Sequence, residues 1–346
     1  ICDLARRLLM EVLPGIPDSF VEELQRKSGL SDLPVVDVDT PPKKAAAIFN
    51  DLGIVAIQGA LSEDVLDPLR CKSVSVMEDI VRCDPEGRGS RGPKRYSFGG
   101  SSSTGSQLHH PEWAALVDVP VVTAVLDEIW GSKEYACHTA GGDFCLAGAP
   151  GHQNLHADAW FPGCNEWERA PRIAVNYLVE DQTPFNGPLR LCPGTQHQPF
   201  QRAPSVAKES AESLLSTMCP LPAGTALVRD LRTWHGGTPN LSRAHRAMPN
   251  AEFTSPEMLS LLRPDDMPKC LPHELWQQMS DRGKHLARFI KAAEGETLDV
   301  SVDFDLELGG SLAQRFFDAS EPAPLFAACR GALMPAKEIG SSRGMT

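Results

Sequence analysis

The chain has 346 residues and a mass of 37.5 kDa, with 42% hydrophobic and 23% charged residues, enough for a sizeable core in a globular protein. Its net charge of −12 and pI near 5.3 argue against a nucleic-acid-binding surface, which needs a basic face. No apolar run approaches the ~20 residues of a membrane span, so the expected location is cytoplasmic, with an organellar address upstream of Ile1 left open.

The ten cysteines are scattered from Cys2 to Cys329 with no Cys-x-x-Cys pair, which disfavours a structural zinc site. Such spacing predicts free thiols that behave as small buried apolar residues rather than a disulfide framework. Residues 1–30 carry helical spacing interrupted by Pro14 and Pro17, and 34–43 form a proline-punctuated connector. A helix over 44–52 should stop at Gly53, a buried strand should follow over 54–57, and a helix should begin near Ser62 and run to about Val81.

Residues 84–107 change character, with Arg88, Arg91, Lys94 and Arg95 set among Gly and Ser. Composition predicts a loop, read either as a lid whose cations meet an anionic substrate or as a solvated segment. Short helices are expected near 111–117 and 121–129. Strands are then expected at 137–146, 154–159, 172–179, 189–192, 226–230 and 246–254, separated by turn residues as in an antiparallel sandwich or barrel. A helix over 272–293 and an edge strand over 298–304 complete the pattern.

The chemistry concentrates in one stretch, Gln153-Asn154-Leu155-His156-Ala157-Asp158-Ala159-Trp160. On an extended chain His156 and Asp158 project to one face, roughly 7 Å apart. A distant histidine would complete a facial metal site, and Trp234-His235-Gly236-Gly237 supplies one. Two histidines and one carboxylate leave three open positions on an octahedral ion, which suits non-haem iron(II) oxygenases. Three further features follow in order. They are Asn186-Gly187-Pro188 with Pro193-Gly194-Thr195-Gln196-His197, then 222–230 leading to His235, then Pro239-Asn240 with Arg246.

With these residues, and with 45–62 as its opening segment, the chain resembles the phytanoyl-CoA dioxygenase family of iron(II)- and 2-oxoglutarate-dependent oxygenases. The resemblance covers roughly 45–255. It implies a mainly β fold with flanking helices, a double-stranded β-helix or distorted, cupin-like jelly roll. The expected organisation is a helical extension over 1–44, the oxygenase domain over 45–255 and an extension over 256–346 packed on it. His156, Asp158 and His235 would bind Fe(II). Arg246 would grip the distal carboxylate of 2-oxoglutarate, because a guanidinium meets a carboxylate with paired charge-assisted hydrogen bonds. Arg243 is the competing choice. Trp160, Asn176 and Thr195 are candidates for the cosubstrate pocket, and the departure at Thr195-Gln196-His197 from the family's turn puts a role for His197 in doubt.

The implied reaction consumes O2 and 2-oxoglutarate, releases succinate and CO2, and hydroxylates or desaturates a small organic substrate. Halogenating relatives need a small residue where Asp158 stands, so halogenation is disfavoured. A non-catalytic jelly-roll binding protein, or a cupin-like metal enzyme that does not use 2-oxoglutarate, are the alternatives. The expected partner is a small molecule, with no nucleic acid and no membrane span, and the chain is expected as a monomer or homodimer. The sequon Asn240-Leu241-Ser242 lies too close to the site to carry a glycan and reads as chance.

Overall fold

The structure is a computed structural model that describes residues 34–98, 106–158, 166–198, 220–262 and 267–298. In chain order the elements are β1 (Val35–Asp37), α1 (Pro42–Leu52), β2 (Ile54–Gln58), α2 (Glu63–Cys83), β3 (Arg95–Phe98), α3 (Pro111–Ala114) and α4 (Pro120–Trp130). There follow β4 (Ala136–Cys145), β5 (Arg172–Tyr177), β6 (Leu189–Leu191), β7 (Ala226–Asp230), β8 (His235–Gly237), β9 (Arg246–Thr254), α5 (Pro256–Leu261), α6 (His273–Gln278) and α7 (Asp281–Leu286). The major sheet has seven strands in the order β1-β2-β7-β5-β9-β4-β3, antiparallel except for β1 on β2. A minor sheet pairs β6 with β8.

Alternation along the central strands sends side chains to two different cores. Val55, Ile57, Ile173, Val175, Tyr177 and Val228 face one way and pack with Phe49, Leu69, Val122, Leu126 and Trp130 of the helices. Ile54, Ala56, Leu227 and Met248 face the other way and meet Leu189 and Leu191 of the minor sheet. Each large apolar side chain so buried contributes about 1.5–3 kcal/mol. One sheet therefore carries helices on its back and a second sheet on its front. This is the distorted jelly roll, mainly β with flanking helices. Among the described residues no helix is long and apolar enough to cross a membrane.

The structure corrects four local expectations. Of the strand expected at 154–159, the described residues 154–158 are not a regular strand: His156 makes an isolated antiparallel bridge to His235, and Asp158 N–H turns away to the carbonyl of Leu231. Arg95–Phe98 is a strand on β4, so the basic segment is a loop only in part. The expected helix over 272–293 is broken into α6 and α7 at Ser280, whose hydroxyl caps α7 by accepting from Gly283 N–H. Cys137 and Cys145 are buried, but Cys71 and Cys83 are exposed on α2, so burial does not hold for every cysteine; the six cysteines among the described residues are free thiols. The helical spacing of 1–30 and most of the expected strand at 298–304 lie outside the described residues.

Candidate metal centre

Sheet pairing, rather than sequence proximity, assembles the site. His235 opens β8 opposite Leu191 of β6, and its other edge exchanges two 2.9 Å backbone hydrogen bonds with His156. The two imidazoles are thus held side by side, their ring centroids 4.3 Å apart. Asp158 closes the group: its Oδ1 is 3.6 Å from His156 Nε2 and its Oδ2 is 3.2 Å from His235 Nε2. One potential donor atom from each of the three lies within 4.8 Å of the others.

Both rings are oriented through their far nitrogens. His156 Nδ1 sits 2.8 Å from the carbonyl of Asn154 and His235 Nδ1 sits 3.0 Å from the carbonyl of Thr233. A proton on each Nδ1 satisfies these carbonyls and leaves Nε2 bare for a metal. Burial, reinforced by the neighbouring His235, pushes the His156 pKa down to about 3, against the pull of Asp158. Burial alone would raise the Asp158 pKa, but His235 and Arg229 outweigh it and hold the carboxyl well below its usual range. Two imidazoles whose Nε2 atoms face one carboxylate form a donor set that fits iron(II).

The segment leading into His235 is braced. Asp230 binds Arg232 through both carboxylate oxygens, Thr233 donates to the carbonyl of Gly53, and Trp234 N–H donates to Thr195 Oγ1 at 2.9 Å. The Thr195 hydroxyl also donates to Cys192 O at 2.6 Å, so it shapes the turn behind His235. Asn176 lies on the inner face of β5 opposite Leu227 and Asn250, 1% exposed, with no partner for either amide atom among the described residues. Trp160 lies outside the described residues, and His197 is exposed.

Arg246 opens β9 at 5% exposure, donating to Gly187 O at 2.9 Å and Asp143 O at 3.3 Å, with no partner for Nε among the described residues. Arg243 is exposed on the preceding loop. Through Cys145 on β4, Arg246 stands in one row with Arg95 of β3. The Arg95 guanidinium crosses the interior to the carbonyls of Gly151 and Thr238 and passes so close to Gly237 that a Cβ there would overlap it. Burial, then the charge of Arg246, lowers the Arg95 pKa. Two buried cations side by side ask for an anion. The sequence placed Arg95 in a basic loop; its burial follows only from strand pairing. Arg229 was missed altogether, although an arginine inside Ala226-Leu227-Val228-Arg229-Asp230 was a visible break in an apolar strand.

The phytanoyl-CoA dioxygenase (PhyH) family matches residues 49–248, which include every ligand candidate and Arg246. The chain belongs to the phytanoyl-CoA dioxygenase family. It is a non-haem iron oxygenase dependent on 2-oxoglutarate and O2, as members of this family are. No curated protein sequence matches the chain significantly. Solved structures similar to it include the epimerase SnoN in complex with Fe3+, alpha ketoglutarate and nogalamycin RO, at 15% identity over 62% of this chain and 83% of that one, TM-score 0.46. Another is EctD from S. alaskensis with 2-oxoglutarate and 5-hydroxyectoine, at 17% identity over 71% and 83%, TM-score 0.47. A third is a non-heme monooxygenase, the ThoJ-Ni complex, at 16% identity over 61% and 77%, TM-score 0.43.

Proposed function

We propose that this family member hydroxylates or desaturates a small organic substrate, with His156, Asp158 and His235 as its iron(II) ligands. The observation that carries this reading is the triad: three donors converge within 4.8 Å, and both imidazoles have Nδ1 turned to a carbonyl. Bound iron supplies O2 activation coupled to decarboxylation of 2-oxoglutarate to succinate and CO2.

The protein's own groups do the rest. His156 remains neutral far into the acidic range, so protons compete poorly with a metal for Nε2. Asp158 occupies the carboxylate position, which favours hydroxylation over halogenation. Arg246 and Arg95 supply a buried cationic end for the distal carboxylate of 2-oxoglutarate, and the unpartnered Arg246 Nε is a donor available to it. Asn176 offers an amide donor and acceptor on the inner face of β5, across from Asn250 of β9.

The test is anaerobic titration with Fe(II) and 2-oxoglutarate, following the visible charge-transfer band of the chelate. The band should form in wild type, vanish in His235→Ala and weaken in Arg246→Ala. Succinate release would then screen candidate substrates. A wild-type protein that binds iron but gives no band with 2-oxoglutarate would overturn the assignment.

A further inference from the structure

The side chain of Arg229 enters the centre from the inner face of β7 and touches two of the three proposed ligands. Its Nη2 donates to Asp158 Oδ2 at 2.9 Å, the same oxygen that lies 3.2 Å from His235 Nε2. Its Nη1 is 3.1 Å from His235 Nδ1. The residue is 5% exposed, and its neighbours across the strands, Ile54 and Ala174, are apolar. A buried cation beside a site built for a divalent cation is electrostatically unfavourable for metal binding, so charge alone gives no reason to keep it there. Geometry gives one. Among the described residues, Arg229 is the side chain besides the two proposed imidazole ligands that contacts the Asp158 carboxylate.

We infer that Arg229 is a positioning residue that pins one oxygen of Asp158, so that the carboxylate presents its other oxygen to the metal in a single orientation. The inference rests on the ligand assignment proposed above. In the metal-binding tautomer of His235 the Nδ1 proton goes to Thr233 O. Nη1 then has no acceptor on that ring, and Asp158 Oδ2 is the acceptor that holds the guanidinium. Lysine cannot reproduce this contact, because a freely rotating ammonium lacks the fixed guanidinium plane that directs the Nη2 hydrogen at Oδ2.

The experiment measures Mn(II) and Fe(II) affinity anaerobically by equilibrium dialysis in wild type, Arg229→Gln, Arg229→Lys and His235→Ala. Cobalt(II) absorption spectra report ligand geometry in the same proteins. Removal of a partner that orients a ligand typically costs 10–100-fold in metal affinity. A loss of about that size in Arg229→Gln, not rescued by Arg229→Lys and accompanied by altered cobalt bands, is the expected result. Unchanged or tighter binding in Arg229→Gln overturns the inference, because that is what relief of charge repulsion alone produces. Full rescue by Arg229→Lys also overturns it, by making charge sufficient. Should Arg229→Gln fail to fold, judged by far-UV circular dichroism, the lysine variant decides alone: weakened affinity supports positioning and wild-type affinity overturns it. His235→Ala separates the two claims. If it retains metal, the ligand assignment itself is wrong; if it loses metal while both Arg229 variants keep it, only the present inference falls.

Discussion

Asn240 is completely buried between β8 and β9, and every polar atom of its side chain is engaged. Its Nδ2 donates to Cys145 O at 3.0 Å and Ala244 O at 2.9 Å, while Oδ1 accepts from the backbone and hydroxyl of Ser242. A glycan has no access to that amide in the folded chain, as the sequon's position near the site implied. Asn240→Ala would remove four side-chain hydrogen bonds, among them the amide donor to the carbonyl of buried Cys145, while Ala244 O keeps the Ser242 hydroxyl. At roughly 1–3 kcal/mol for a buried group that loses its partner, chemical denaturation should register a loss of at least ~1 kcal/mol. A wild-type midpoint would refute the bracing role. Glu180 makes a second prediction at this scale. Burial pushes its pKa up to about 7, against Ala247 N–H and the charge of Arg246. Its folded pKa exceeds its unfolded value, so the folded state holds the extra proton between roughly pH 4.5 and 7. Stability from this group is therefore present at low pH and lost as pH rises through about 7. Glu180→Gln should raise the thermal midpoint at pH 8 and leave it little changed at pH 4.5; an equal shift at both would remove titration as the cause. Side chains such as Glu180, Arg95 and Arg229 were illegible in the sequence because their environments come from other strands. The His-x-Asp triplet and Arg246 were legible because their residue types and order are the ones that the proposed metal and cosubstrate roles call for.

Gly53 shows how one element disciplines the centre. It ends α1 in the left-handed region at φ 72°, where its N–H closes on Phe49 O at 2.7 Å. Its carbonyl then accepts from Asp230 N–H at 2.9 Å and from the Thr233 hydroxyl at 3.1 Å, so the cap of α1 anchors the turn before His235. A Cβ at this position would overlap Thr233 Oγ1 and meet Gln196 Oε1 at 2.7 Å. Gly53→Ala should thus cost at least the ~1–2 kcal/mol of a left-handed alanine and also weaken Fe(II) binding, since relief of the overlap displaces residues 233–235. Dialysis beside a denaturation curve checks both, and a destabilised variant with unaltered iron affinity would uncouple the cap from the site. Elements bounded by such punctuation were the legible ones. The α1 stop at Gly53, the start of α2 after Ser62, and strands β7 and β9 lie where Gly, Ser and alternation put them. Residues 154–158 were harder. His156 and Asp158 do converge, but their backbone is held at one bridge and one bond to Leu231, because only the short β8 is available to pair with.

At the scale of the molecule, the charge distribution is inverted: a chain of net charge −12 encloses Arg95, Arg190, Arg229 and Arg246, each at 5% exposure or less. Asp158 neutralises one of these guanidiniums, while Arg95 and Arg246 lean mainly on backbone carbonyls. Carbonyl dipoles satisfy hydrogen bonds but carry no net charge, so beyond the longer-range pull of Asp143 on Arg95 and of Glu180 on Arg246 these two buried cations carry a desolvation penalty. A dianionic cosubstrate would remove that penalty, and its binding energy would appear as folding stability. At 100 times its Kd the gain is about 2.7 kcal/mol, a rise of several degrees in the thermal midpoint of a domain this large. The rise should persist when sodium chloride is increased from low to moderate concentration, because buried pairs are poorly screened. Arg246→Ala should lose most of it. Scanning calorimetry of wild type and variant, with Mn(II) in place of the redox-active iron, decides the matter. If 2-oxoglutarate stabilised both proteins equally, the anion would be binding elsewhere, and the paired arginines would need another counter-charge, with the substrate itself the first to try.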